Sequence, residues 1–217
     1  MGRSSRGRII RERGCSTPVT DHYFSASPSA RHREATIRVV LHGRTFVFLT
    51  DSGVFSQGKL DRGTELLAES LSLSPDSHVL DLGCGYGVLG IVAATLAPNG
   101  RVVMTDVNER AVDLAARNVR ANAVPHAEVR LGALYEPVAA ETFDAIVCNP
   151  PIRAGKDLVF RIGDEAPAHL RPGGSLWMVV RTRQGARSLG ARLAARFGNC
   201  ETVARGSGYR VFRSRQA

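Results

Sequence analysis

The sequence has no apolar run approaching the ~20 residues that a membrane-spanning helix requires; Leu89 to Ala97 is among the longest. Its arginine-rich start is followed by no apolar stretch of the kind a secretory signal needs, so a cytoplasmic chain away from membranes is expected. Cysteine is sparse, at positions 15, 84, 148 and 200, with no CxxC pair, and the six histidines are scattered. That spacing excludes the common zinc frameworks, so no metal and reduced thiols are expected. Lysine is nearly absent: only Lys59 and Lys156 are not arginine among 29 cations. No internal repeat occurs, and no low-complexity segment beyond the first twenty residues.

What is present is enough for one domain. The chain has 217 residues, 43% apolar and 23% charged, the balance of an ordinary globular protein. Against 20 acids the cations leave a net charge of +9. Residues 1–20 hold Arg3, Arg6, Arg8, Arg11 and Arg13 against Glu12, hence +4, and the rest of the chain carries the other +5. A basic excess suits a polyanion such as RNA, because neutralised phosphates release counterions. An arginine-biased coding composition gives the same excess, so charge alone decides nothing.

Residues 1–20 lack apolar periodicity and read as a flexible basic tail ahead of a domain over 21–217, in which 21–60 is an N-terminal elaboration. Within it, residues 36–50 form two β-rich runs around His42-Gly43, a hairpin pattern. Asp61 to Leu71 reads as a helix with Leu66, Leu67 and Leu71 on one face. From residue 77 strands and helices alternate: strands at 77–82, 101–106, 127–131, 143–148 and 175–180, helices at 88–97, 108–122, 157–170 and 185–197. Two final strands, 200–205 and 209–213, are joined by GSG, a link too short for a crossover, so they run antiparallel. The pattern is that of an α/β protein with a mostly parallel sheet covered on both faces and an antiparallel last strand.

HVLDLGCGYGVLG (78–90) sets Gly83, Gly85 and Gly87 between a strand and a helix, where a ligand can approach backbone without meeting a Cβ. GYGVLG also satisfies the dinucleotide pattern, so a dehydrogenase has to be weighed. Asp81 argues against it: a carboxylate there repels a diphosphate but suits a sulfonium-bearing amino acid with its ammonium group. Asp106 ends the next strand, where a carboxylate can accept both ribose hydroxyls of an adenosine. By itself Asp106 could equally be a helix N-terminal acid. The adenine edge would be met in LGALYEP (131–137), where Ala133 offers no polar side chain and backbone groups must serve.

DAIVCNPPIRAGK (144–156) puts Asn149 just past an apolar strand, at the carboxyl edge where open sheets bind ligands. Pro150 and Pro151 stiffen the chain after it and leave carbonyls available. If the Asn149 oxygen and the Pro150 carbonyl each accept one N–H, a planar amino group is held with its lone pair aimed at a methyl donor. The bland alternative is a proline-rich turn. Cys148 could serve as a nucleophile of the C5-methylation kind, or simply be a small buried residue.

Together these motifs resemble the class I S-adenosylmethionine-dependent methyltransferases of the small methyltransferase domain family, and in particular the bacterial 16S rRNA guanine-N2 methyltransferases and their single-domain relatives. The likeness runs over residues 21–213 through HYFS (22–25), TDSGVFSQGKLDRGTELL (50–67), DLGCGYG (81–87), TDVNERA (105–111), NPPIRAGK (149–156), LRPGGSLWMV (170–179) and GYRVF (208–212). It implies the seven-stranded Rossmann-like methyltransferase fold with S-adenosylmethionine as donor. It also implies that Asp81, Gly83, Gly85 and Gly87 line the methionine end and Asp106 the ribose, with Val107, Ala133 and Leu134 also at the cofactor. Gly63 and Thr64 would close over the cofactor, Asn149 to Pro151 would hold the target amine, and Phe55, Ile152, Arg153 and Lys156 would meet the substrate. Ribosomal RNA or the small ribosomal subunit is the implied partner, and a monomer is expected. Adenine N6, cytosine N4, another rRNA or tRNA guanine and a protein glutamine amide fit the same geometry, and a non-catalytic S-adenosylmethionine-binding assembly factor is a further class. The family's ribosomal enzymes often carry a second, degenerate domain on the N-terminal side, for which this chain has no room.

Overall fold

A computed structural model describes residues 33–54, 56, 58–151 and 155–217. The basic tail, the HYFS motif, Phe55, Ile152 and Arg153 lie outside the described residues.

β1 (Ala35–Leu41) and β2 (Arg44–Thr50) pair antiparallel with Leu41 opposite Arg44. His42 and Gly43, both at positive φ, make the two-residue turn between them. The outer edge of β2 is closed by side chains rather than by another strand. Leu49 N donates to Asn118 Oδ1 at 2.7 Å and Asn118 Nδ2 returns to Leu49 O at 2.9 Å. Asn122 repeats the exchange with Val47 at 3.0 and 2.8 Å. Two asparagines one helical turn apart thus satisfy an edge that would otherwise invite pairing with another chain.

The main sheet contains β3 (His78–Leu82), β4 (Arg101–Asp106), β5 (Ala127–Leu131), β6 (Phe143–Cys148), β7 (Leu170–Arg181), β8 (Glu201–Gly206) and β9 (Tyr209–Arg215). Their spatial order is β5-β4-β3-β6-β7-β9-β8. The pairs from β5 to β7 are parallel, while β9 inserts antiparallel between β7 and β8. From β3 the chain winds outward through β4 and β5, then returns to β6 and winds the other way. The switch between β3 and β6 opens a crevice at the carboxyl ends of the strands.

α1 (Arg62–Ser70), α2 (Val88–Leu96) and α3 (Glu109–Ala121) share one face of the sheet with the hairpin, burying Phe48, Leu67, Ile91, Leu114 and Trp177 together. α4 (Lys156–Glu165) and α5 (Ala186–Phe197) cover the other, over Leu80, Phe143, Ile146, Leu176 and Phe212. The expected helix over 157–170 stops at Glu165 and continues as a 3₁₀ turn, Ala166–His169, because Pro167 has no N–H to extend it. β7 begins five residues before the expected start. Gly173 N donates to Gln216 O and Gln216 N to Gly174 O, prolonging the exchange with the end of the chain.

Candidate active site

Strand β3 ends in a loop whose three glycines all have positive φ: 72° at Gly83, 57° at Gly85 and 94° at Gly87. Gly83 N and Cys84 N both donate to Thr105 O at 2.9 Å, tying the loop to the end of β4. A Cβ at Gly83 would meet nothing within 4 Å, so the loop faces open space there, whereas one at Gly87 would press on Ala115 at 3.3 Å. Gly83 and Gly85 therefore serve the crevice, and Gly87 serves the packing of α2 on α3. With Thr64, Tyr86, Leu89 and Asn149, Gly83 and Gly85 line one recess.

Two carboxylates brace this loop from behind. Asp106 Oδ2 accepts from Gly85 N at 2.8 Å and its Oδ1 from Asn108 N at 2.9 Å, leaving lone pairs on both oxygens for further donors. Asp81 is fully buried; its Oδ2 accepts from Gly90 N at 2.7 Å, and its Oδ1 has no partner. Burial lifts the Asp81 carboxyl to about 7, the nearby Asp106 charge adds to this, and the Gly90 N–H opposes it. Burial likewise raises Asp106, against the backbone N–H groups that hold it. An orphaned acceptor and a second carboxylate behind a glycine-walled recess make a site that favours a cation and disfavours a diphosphate. Beside them, Val107 is 37% exposed and Leu131 50%, two apolar side chains at neighbouring strand ends where a planar ring could lie. Ala133 and Leu134 follow, half-buried, with Leu134 at φ 49°.

Asn149 stands across the recess at the end of β6. Its Nδ2 donates to Thr64 Oγ1 at 2.8 Å and to Asp61 Oδ2 at 3.2 Å. A carboxylate only accepts, so the amide nitrogen must face it, which fixes the Asn149 oxygen on the opposite side. Asp61 is itself held: its Oδ2 caps α1 by accepting from Gly63 N and Thr64 N, both at 2.9 Å. Its Oδ1 accepts from Tyr209 Oη at 3.2 Å, and Tyr209 Oη accepts from Arg181 Nε at 2.9 Å. The Arg181 guanidinium also lies over the Tyr209 ring, 5.1 Å from its centroid. Burial and the Asp61 charge push the Tyr209 phenol up, so it stays a donor to Asp61.

The structure thus brings Thr64, Gly83, Gly85 and Asn149 together around one recess, with Asp81 and Asp106 behind it. At Gly63 a Cβ would come within 2.6 Å of the Tyr209 ring, so this glycine allows the close approach of α1 to β9. Lys156 opens α4, exposed, after Gly155 at φ 106°. Cys148 is 1% exposed and packs among the α4–α5 side of the core. Burial, reinforced by Asp81 and Asp106, holds its thiol well above the usual range, which removes it as a nucleophile. Asp61, Tyr209 and Arg181 were not expected. Asp61 could have been found as the polar residue opening a helix; its tie to Asn149 could not. Among the described residues no group of three His, Cys, Asp or Glu could hold a metal ion, and no helix is long and apolar enough to cross a membrane.

Comparison with known proteins agrees with this geometry. The methyltransferase small domain family matches residues 45–213. The uncharacterized protein YbxB of Bacillus subtilis (strain 168) is 36% identical over 200 residues, covering 91% of this chain and all of that protein. Ribosomal RNA small subunit methyltransferase C of Pseudomonas aeruginosa (strain UCBPP-PA14) is 35% identical over 176 residues, 76% of this chain and 49% of its own length. Among solved structures, the Thermus thermophilus 16S rRNA N2 G1207 methyltransferase in complex with AdoMet and guanosine superposes with a TM-score of 0.76 at 29% identity, over 85% of this chain and 51% of that one. The chain spans about half the length of these ribosomal RNA methyltransferases.

Proposed function

This chain belongs to the methyltransferase small domain family, as an S-adenosylmethionine-dependent methyltransferase, and from that premise we propose that it methylates an exocyclic amino group, the N2 of a guanine in 16S rRNA. The observation that carries the reading is the fixed orientation of Asn149. With its nitrogen held by Asp61 and Thr64, its Oδ1 is left to accept from a substrate. Among the described residues no donor reaches that oxygen or the Pro150 carbonyl.

Bound at this site, S-adenosylmethionine supplies an electrophilic methyl group on a sulfonium. The protein's share is positioning. An amine conjugated to a base ring is planar and weakly nucleophilic. Two acceptors, Asn149 Oδ1 and the Pro150 carbonyl, each taking one N–H, turn its lone pair toward the donor and stabilise the positive charge that grows on nitrogen. The nitrogen becomes acidic as it gains the methyl group, so its proton leaves to solvent without a strong base. Pro151 keeps the acceptor loop rigid. In this reading Asp81, Gly83 and Gly85 hold the methionine end, Asp106 the ribose hydroxyls, and Val107, Ala133 and Leu134 the adenine, with Thr64 bridging cofactor side and amine side. Phe55, Ile152, Arg153 and Lys156 would contact the nucleotide.

The direct test is methyl labelling of naked 16S rRNA, of 30S particles and of release factors by the full chain. Label is expected in rRNA as N2-methylguanosine. Label confined to protein would replace the reading with glutamine-amide methylation. S-adenosylmethionine binding without transfer to any of the three would make the chain an assembly factor.

A further inference from the structure

Exposed arginines gather at the carboxyl end of the sheet. At the amino ends of the parallel strands Arg101 pairs with Glu128 and Arg171 with Asp144, both at 2.8 Å, while Arg215, opposite Ser175, is exposed with no ion pair among the described residues. At the carboxyl end, beside Asn149, six exposed or half-exposed arginines have no carboxylate within salt-bridge distance among the described residues: Arg62, Arg181, Arg183, Arg187, Arg205 and Arg210.

The backbone brings these six onto one rim. The β8–β9 turn carries Arg205 and Arg210, directly opposite one another in register. Val180 of β7 is opposite Arg210, so Arg181 and the β7–α5 loop follow alongside. Thr182 N donates to Gly208 O at 2.8 Å and ties that loop, with Arg183 and Arg187, to the turn. Arg62, at the start of α1, reaches Ser207 Oγ in the same turn at 3.4 Å. The nearest exposed acid on α1 is Glu65, one turn along, and it pairs with none of them. Like charges facing each other across a strand pair are unfavourable by themselves. An arrangement that sets Arg205 against Arg210 with no acid between them is relieved by an anion from outside.

We propose that this arginine rim docks the phosphate backbone of the RNA strand that presents the target base to Asn149. The proposal rests on the rRNA reading above and adds the surface that reads the backbone. β7, β9 and β8 lie one, two and three strand spacings of ~4.8 Å from β6, so the rim begins beside Asn149 and extends about 15 Å from it, the reach of a few nucleotides flanking the base. Arginine suits the task, because its planar fork grips phosphate oxygens in pairs.

The test compares the full-length wild type, R205Q/R210Q and R101Q, using a 16S rRNA transcript and free guanosine as methyl acceptors. For R205Q/R210Q the KM for the transcript rises roughly tenfold, and the slope of log affinity against log salt flattens by about 1.4–1.8 for two lost phosphate contacts. Its turnover of free guanosine and its affinity for S-adenosylmethionine stay at the wild-type level. R101Q, at the opposite end of the sheet, leaves the salt slope unchanged. A transcript KM and slope unaltered in R205Q/R210Q, or a KM raised and a slope flattened equally in R101Q, would overturn the rim while leaving the methylation of RNA intact. Failure of the wild type to methylate either acceptor would instead remove the reading on which the rim depends.

Discussion

Asn149 is set by Thr64 on the wall of the recess and by Asp61 behind it. Asp61 holds its amide nitrogen and is in turn braced by Tyr209 and Arg181. Asp61→Asn retains a good helix cap, so stability falls by less than about 1 kcal/mol, but the charge that commits the Asn149 nitrogen is gone. We expect kcat to fall roughly tenfold, as for a misplaced catalytic group, with S-adenosylmethionine affinity and substrate KM unchanged. Equal losses in kcat and in cofactor affinity would mean that Asp61 acts on the whole recess instead. Asp81 makes a second prediction at this scale. Its folded pKa near 7 lies above the ordinary carboxylate value, so burial of its charge costs stability progressively as pH rises from about 4 to 7. A bound ammonium favours the ionised form, so the affinity of the free protein for S-adenosylmethionine should climb as pH rises through 7, with a proton released on binding. Calorimetry in buffers of different ionisation enthalpy checks this. A flat pH profile in the wild type, or an unaltered slope in Asp81→Asn, would contradict it.

The elements were readable from the chain because strands buried on both faces, such as HVLDL and FDAIVC, carry near-continuous apolar runs, and α3 carries its Ala111, Leu114, Ala115 and Val119 at helical spacing. The glycine loop and the Asn-Pro-Pro corner were readable because their residue types are constrained by backbone shape. The contacts that fix the site were not. Asn149 meets Asp61 across 88 residues, Tyr209 meets Asp61 across 148, and Asn118 meets Leu49 across 69. Hydrogen bonds of that span leave no periodic trace, and Asn118 in α3 and Asn122 just past its end look like ordinary polar positions. They join the hairpin to the cofactor side, since Asn118 Nδ2 also donates to Tyr86 O at 2.8 Å. Asn118→Ala leaves the Leu49 and Tyr86 backbone groups without their partner and should destabilise the chain by about 1–3 kcal/mol. Amide exchange at Leu49 should quicken more than at the core strand β3. Uniform acceleration in both would mean that the hairpin and sheet open as one unit.

At the scale of the molecule, function is gathered on one edge. The switch between β3 and β6 makes the recess, the carboxylates behind it favour a cation, Asn149 faces it, and exposed arginines extend outward from it. All of this depends on a two-acceptor clamp that presents a planar amine. The most direct measurement is nucleoside mass spectrometry of a 16S rRNA transcript after incubation with S-adenosylmethionine and either the wild type or Asn149→Ala, alongside cofactor titration of both. The account predicts N2-methylguanosine with the wild type, a loss of roughly a hundredfold or more in the variant, and cofactor affinities within a few fold of each other. Wild-type turnover persisting in Asn149→Ala, with its cofactor affinity intact, would contradict it.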